Sequence, residues 1–260
     1  MRYSAATPPE SFVSFDTGTA HVVCDERFAA SLRVALDHGS LYEYARSHSA
    51  ARAFSGRGVA YAVPLPGEST CVVVRHNRHG GLLAPLTGDL FRWPSRAPLE
   101  LEVSRRLHSS GVATPEIISY ALYPAGAGFC RADVASLEVP ASRDLSAAIM
   151  SADAAYRAHA LRATARLVQS LTESGARHHD LNVKNVLLRD PPDGGLDALV
   201  LDVDRVVFSS DRAMVREANL ARLLRSARKW RANYGAPITE SELAALDAAV
   251  REPDPSSTRS

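Results

Sequence analysis

Asp180 and Asn185 share one polar run, His178-His179-Asp180-Leu181-Asn182-Val183-Lys184-Asn185, and Asp202 follows beyond an apolar hairpin. A carboxylate in such a loop can orient an acceptor hydroxyl and take its proton. A second carboxylate and a carboxamide oxygen are hard donors of the kind that hold Mg²⁺ against phosphate oxygens. Asp180 as base, with Asn185 and Asp202 as metal ligands, therefore suits transfer of a phosphoryl group to a hydroxyl. The same residues also read as a buried polar turn, or as a zinc site on His178, His179 and Asp180. Adjacent histidines on one loop seldom converge on a metal without a third His or Cys nearby, which disfavours zinc.

Such residues need rigid supports, and the flanking sequence predicts them. Helical spacing of Tyr156, Ala160, Ala163, Leu167 and Leu171 predicts a helix from Ser151 to about Glu173, stopped at Gly175. The apolar runs from Val186 and through Ala198-Leu199-Val200-Leu201, joined by Pro191-Pro192-Asp193-Gly194-Gly195, predict a hairpin that delivers Asp202-Val203-Asp204. Upstream, Ala53 to Tyr61 reads as strand, glycine turn and strand, and Cys71-Val72-Val73-Val74-Arg75 as another strand. Gly56 and Gly58 would let backbone N–H groups approach a phosphate, although Gly-x-Gly alone is more often a hairpin turn. The guanidinium of Arg75 can bridge two phosphate oxygens; the competing reading is an edge-strand arginine facing water. The basic turn from His76 to Leu82 fits three roles: covering a nucleotide, meeting an anionic acceptor, or a solvated loop.

Pro98 opens a helix that closes before Gly111, with Leu99, Val103 and Leu107 as its expected apolar face. Glu100 is spaced to point toward the sheet and pair with Arg75, whereas Glu102 falls on another side. Thr114 to Ala121 and Phe129 to Pro140 read as the last two strands of a small lobe. Met214 to Trp230 reads as a helix with Leu220, Leu223, Leu224 and Ala227 inward and Arg216, Arg222, Arg225, Arg228 and Lys229 outward. Thr239 and Glu242 form a capping box for a final helix. At the start of the chain, residues 1–24 read as a loose extension broken by Pro8-Pro9 and Gly18. Two short helices follow, one capped by Asp25 and one from Leu41 to His48.

A chain of 260 residues that is 46% hydrophobic and 23% charged has ample material for a core. A net charge of +1 gives no bulk argument for nucleic acid. Cys24, Cys71 and Cys130 are scattered without metal spacing, as expected of a reducing compartment. No apolar run approaches a membrane span and Met1-Arg2-Tyr3-Ser4 opens no signal-peptide core, so the expected location is cytoplasmic, or peripheral on a membrane from that side.

The run from His178 to Asn185 resembles the H-x-D-x-x-x-x-N catalytic loop of protein-kinase-like proteins, and Asp202 sits where that fold carries its metal-binding Asp. The resemblance implies an α+β, bilobal protein-kinase-like fold with a small sheet-rich N-lobe and a helical C-lobe. Residues 1–50 would brace the N-lobe, 51–140 would form it, and 141–260 would form the C-lobe. Several departures from protein kinases are informative. Asn182 stands where protein kinases usually carry Lys, Val203-Asp204 replaces Phe-Gly, and no long activation segment or Ala-Pro-Glu follows. With Gly56-Arg57-Gly58, Arg75-His76, Arg131-Ala132-Asp133 and Asn219-Leu220-Ala221-Arg222, the chain resembles the bacterial 3-deoxy-D-manno-octulosonic acid (Kdo) kinases of the lipopolysaccharide kinase group. That likeness implies ATP and Mg²⁺, a nucleotide site including Gly56, Gly58, Arg75, Glu100 and Asn182, and Kdo–lipid A phosphorylated at the 4-position. It implies no nucleic-acid partner. A heptose or other small-molecule kinase, and a catalytically dead nucleotide-binding module, are the alternatives.

Overall fold

The computed structural model describes residues 9–37, 39–55, 58–78, 88–93, 95–191 and 194–252. The chain divides into two compact units, one of residues 1–102 and 116–138, the other of 103–115 and 139–260. The first begins with β1 (Phe12–Asp16) and β2 (His21–Asp25), then α1 (Ala29–Leu36) and α2 (Leu41–Ser47). It continues with β3 (Arg52–Ser55), β4 (Val59–Pro64), β5 (Cys71–His76), β6 (Phe91–Arg92) and helix α3 (Ala97–Ser109), within which the division falls. β7 (Ile117–Pro124) and β8 (Phe129–Leu137) complete an antiparallel sheet in the order β1-β2-β7-β8-β5-β4-β3, with β6 paired to β8.

The loose extension expected over residues 1–24 is corrected by this sheet, because β1 and β2 form a hairpin whose inner strand pairs with β7. The Thr17 hydroxyl accepts the Ala20 N–H at 2.9 Å and closes the turn, which places Val22 and Cys24 in the core. The signal was the alternation around that turn, obscured by the prolines before it. β5 lies between β8 and β4, so Arg75 is not on an edge strand.

A second correction concerns α3. Leu99 is 50% exposed, whereas Leu101 is 2% exposed. The buried face runs through Ala97, Glu100, Leu101, Val103, Ser104 and Leu107, so Val103 and Leu107 face inward as expected and Leu99 does not. Two polar residues sit on that stripe, so a search for apolar spacing alone selects the wrong leucine.

In the second unit, β9 (Ser142–Asp144), α4 (Leu145–Ile149) and α5 (Ala154–Glu173) lead to β10 (Ala176–His178), β11 (Val186–Arg189) and β12 (Asp197–Val200). β13 (Val206–Phe208), α6 (Arg212–Tyr234) and α7 (Glu240–Arg251) complete it. β12, β11 and β9 form one small sheet, and β10 pairs with β13 in another. The Asp153 side chain accepts the N–H groups of Ala155 and Tyr156 to start α5, and the capping box of Thr239 and Glu242 starts α7. Helix α6 outruns the interval expected for it at both ends: Asp211 caps Met214, and Gly235, at φ 68°, stops it. Among the described residues, no helix is long and apolar enough to cross a membrane.

Candidate active site

The loop after β10 is built around a buried histidine. His178 is fully buried at 0% exposure, and both of its ring nitrogens are engaged by the backbone. Nε2 lies 2.9 Å from the carbonyl oxygen of Leu201, and Nδ1 lies 3.0 Å from the Asp180 N–H. A carbonyl can only accept and an N–H can only donate, so the ring is neutral with its proton on Nε2. Burial pushes its pKa below the ordinary value, in the direction that this hydrogen-bond pattern needs. A ring so occupied has no nitrogen left for zinc. The residue instead ties the start of this loop to the end of the β11–β12 hairpin.

The loop then closes on the carbonyl of Asp180. Asn182 Nδ2 donates to it at 2.9 Å and Asn185 Nδ2 at 2.8 Å. Asn182 Nδ2 also lies 3.3 Å from the Asp180 carboxylate, and Asn182 Oδ1 accepts the Lys184 N–H at 2.9 Å. Asn182 is thus a brace within the loop. With its NH₂ committed to Asp180, Asn185 turns its Oδ1 away, and that oxygen accepts no hydrogen bond among the described residues. The Leu201 N–H donates to the Asn185 carbonyl at 2.9 Å, which places Asp202 one residue beyond a contact with the Asn185 backbone.

Asp202 itself has a left-handed backbone, φ 55° and ψ 48°. For a residue with a Cβ this conformation costs about 1 kcal/mol or more, which the fixed neighbours must sustain. Its carboxylate caps no backbone group and makes no hydrogen bond or ion pair among the described residues. Asp202 and Asn185 therefore offer two oxygen donors with no competing partner, a set that fits a hard divalent cation such as Mg²⁺.

Two supports have roles that the sequence reading did not assign to them. Asn219, fully buried on α6, accepts the His178 N–H at 2.9 Å and donates to the Ala176 carbonyl at 2.9 Å, acting as a strand partner for β10. A buried Asn on an otherwise apolar helix stripe was the available hint. Gly175, at φ 73°, sits where a Cβ would run into the backbone oxygen of Ser209, and its carbonyl accepts the Ser209 N–H at 2.9 Å.

In the first unit, the Arg75 guanidinium pairs with the Glu100 carboxylate, and Glu100 is only 3% exposed. Glu102 is exposed. Gly58 follows the β3–β4 turn, is exposed, and has open space where a Cβ would stand. Gly56, and the part of the basic turn from His79 to Leu82, lie outside the described residues. The second unit thus brings Asp180, Asn182 and Asn185 into one bonded loop, with Asp202 following a residue bonded to the Asn185 backbone, and the first brings Arg75 to Glu100.

Comparison with known proteins identifies the family and the fold. The family described as "Lipopolysaccharide kinase (Kdo/WaaP) family" matches residues 48–249. A 3-deoxy-D-manno-octulosonic acid kinase of Xanthomonas campestris pv. campestris is 31% identical over 183 residues, 68% of this chain and 69% of its own. Another of that name, from Stenotrophomonas maltophilia, is 29% identical over 195 residues, 74% of each chain. Among solved structures, "WaaP in complex with acyl carrier protein" aligns over 89% of both chains with a TM-score of 0.56 and 19% identity. The amicoumacin kinase hAmiN, in complex with AMP-PNP, Ca²⁺ and Ami, aligns over 87% of this chain and 81% of its own, with a TM-score of 0.57 and 10% identity. Both share the kinase-like fold.

Proposed function

The chain belongs to the lipopolysaccharide kinase (Kdo/WaaP) family and is a kinase, and from that premise we propose that it transfers the γ-phosphoryl group of ATP to the 4-hydroxyl of Kdo on Kdo–lipid A. The observation that carries this reading is the locked loop of the second unit. One backbone carbonyl gathers the amides of Asn182 and Asn185, which fixes the main chain that carries the Asp180 carboxylate and leaves unspent oxygens at Asn185 and Asp202. The relatives named for Kdo supply the acceptor class, and the AMP-PNP and Ca²⁺ of the amicoumacin kinase support a nucleotide with a divalent cation.

In this mechanism Asp180 orients the acceptor hydroxyl and receives its proton as the oxygen attacks the γ-phosphorus, while the bond from that phosphorus to the β,γ-bridging oxygen breaks and ADP leaves. Arg75, held by Glu100, binds phosphate oxygens through its planar fork. Gly58 has open space where a Cβ would stand, and a glycine there, as at position 56, lets backbone N–H groups approach a phosphate. Asn182 supports the nucleotide side indirectly, by fixing the loop. Asn185 and Asp202 would hold Mg²⁺, which when bound draws negative charge from the phosphate oxygens.

The acceptor is anchored in a bilayer, so the enzyme works as a peripheral protein on the cytoplasmic face. On α6, Arg228 and Arg231 are paired with Glu240, but Arg222, Arg225 and Lys229 have no ion pair among the described residues. Each unpaired cation near an anionic surface contributes ~1 kcal/mol, screened by salt. The test is radiolabelled ATP offered in parallel with Kdo–lipid A, a heptose-bearing acceptor, an aminoglycoside and a peptide. Label is expected in Kdo–lipid A alone. Label in any of the others, with none in Kdo–lipid A, leaves the kinase standing and removes the acceptor assignment.

A further inference from the structure

Arg75 and His76 are neighbours on β5, so their side chains leave the sheet on opposite faces. Arg75 meets Glu100. His76 is on the face of Val72 and Val74, which pack with Leu32, Leu41 and Ala45 of α1 and α2. On that second face a hollow of about 550 Å³ opens, lined by residues of α2, the end of β5, Asp89 and Arg131.

Its floor is a connected polar chain. Asp133, at 0% exposure, accepts the Tyr42 N–H at 2.9 Å and bonds His76 Nδ1 at 2.6 Å. His76 Nε2 meets Asp89 at 3.0 Å, and Arg131 Nε donates to the same Asp89 oxygen at 2.9 Å. Every acid of the hollow is committed: Asp133 and Asp89 to this chain, Glu43 to the capping box that starts α2. The cations are not all spent. Arg46 and Arg78 line the hollow, reach Tyr42 electrostatically, and have no ion pair or hydrogen bond among the described residues.

Two unspent guanidiniums over a floor of satisfied acids form a receptor for an anion of about two negative charges, the charge of a phosphate monoester. The volume lies within the range of roughly 300–1,000 Å³ typical of small-ligand sites, larger than phosphate alone requires. We propose that this hollow is a second anion site, which binds a phosphate monoester through Arg46 and Arg78 on the face of the sheet opposite Arg75. The inference does not depend on which acceptor the kinase uses.

The experiment is titration calorimetry of the full chain without nucleotide, in two arms. One uses glucose 6-phosphate, and the other phosphatidylcholine vesicles containing phosphatidic acid. The parent is compared with Arg46→Ala/Arg78→Ala, with the milder Arg46→Gln/Arg78→Gln, and with Arg75→Ala; urea midpoints verify folding. Binding to the parent is expected to weaken by ~10-fold or more in both double variants and to survive in Arg75→Ala. The arm that binds identifies the source of the phosphate, a free sugar phosphate or a lipid headgroup. No binding in either arm, equal binding by the folded double variants, or loss in Arg75→Ala overturns the proposal.

Discussion

The buried ring of His178 permits a quantitative test of how the loop is held. Replacing it in His178→Phe keeps a ring of similar bulk and removes both hydrogen-bonding nitrogens. The Leu201 carbonyl and the Asp180 N–H, partnered at 2.9 and 3.0 Å in the parent, then lose their partners. An unsatisfied backbone group costs about 1–3 kcal/mol when fully buried; these two are part-buried, so the variant should lose at least ~1 kcal/mol and less than the ~6 kcal/mol that two fully buried groups would cost. That is a measurable share of the ~5–15 kcal/mol that keeps a typical domain folded. Urea denaturation monitored by circular dichroism reads the loss directly. The pH dependence adds a sign. Burial lowers the pKa of His178 from its ordinary 6.5, so the unfolded chain binds the proton more readily. This contribution is fully present above pH 6.5, erodes as pH falls below it, and levels off under the folded-state value. The difference in stability between parent and His178→Phe should therefore shrink between pH 7 and the lower range. Turnover per folded molecule should also fall, because the Asp180 backbone is no longer pinned. A loss under ~1 kcal/mol with unchanged turnover would refute the clamp.

The remaining expectations concern the residues that the loop and the sheet present. Asp180→Asn should fold and bind ATP as the parent does while turnover drops by ~10²-fold or more; near-normal turnover would remove Asp180 as the base. Asp202→Asn should weaken metal-dependent ATP binding, and raised Mg²⁺ or added Mn²⁺ should restore part of its activity but none of that of Asp180→Asn. Equal rescue of the two would contradict their separate roles. Arg75→Lys keeps the charge and loses the fork, so KM for ATP should rise with a smaller effect on kcat; Arg75→Ala binding ATP like the parent would end the phosphate role. Gly175→Ala should destabilise the fold by at least ~1–2 kcal/mol in a thermal melt, since φ 73° disfavours a Cβ and Ser209 blocks it.

The sequence by itself determined the local matter. Hydrophobic periodicity and turn residues placed α5, the β11–β12 hairpin and the capping box of α7, because helix stops, caps and period-two strands are governed by residues close in the chain. The type and spacing of Asp180, Asn185 and Asp202 indicated phosphoryl transfer before any fold was known, and the departures from protein kinases indicated the family. The helical position of Glu100 was legible as well, since spacing on one helix fixes which way a side chain faces.

What only the tertiary structure decided depends on contacts between distant segments. β1 and β2 became part of the sheet because β7, far along the chain, offers them a partner. Leu101 rather than Leu99 entered the core because Glu100 and Ser104 share its stripe, and the stripe's polarity is tolerable only with Arg75 opposite Glu100. Asn219 and His178 were legible only as motif residues, and their bonds to the backbone of β10 and Leu201 appeared only on folding. A buried donor or acceptor must find its complement, and in these cases the complement is a main-chain group whose position no local pattern records.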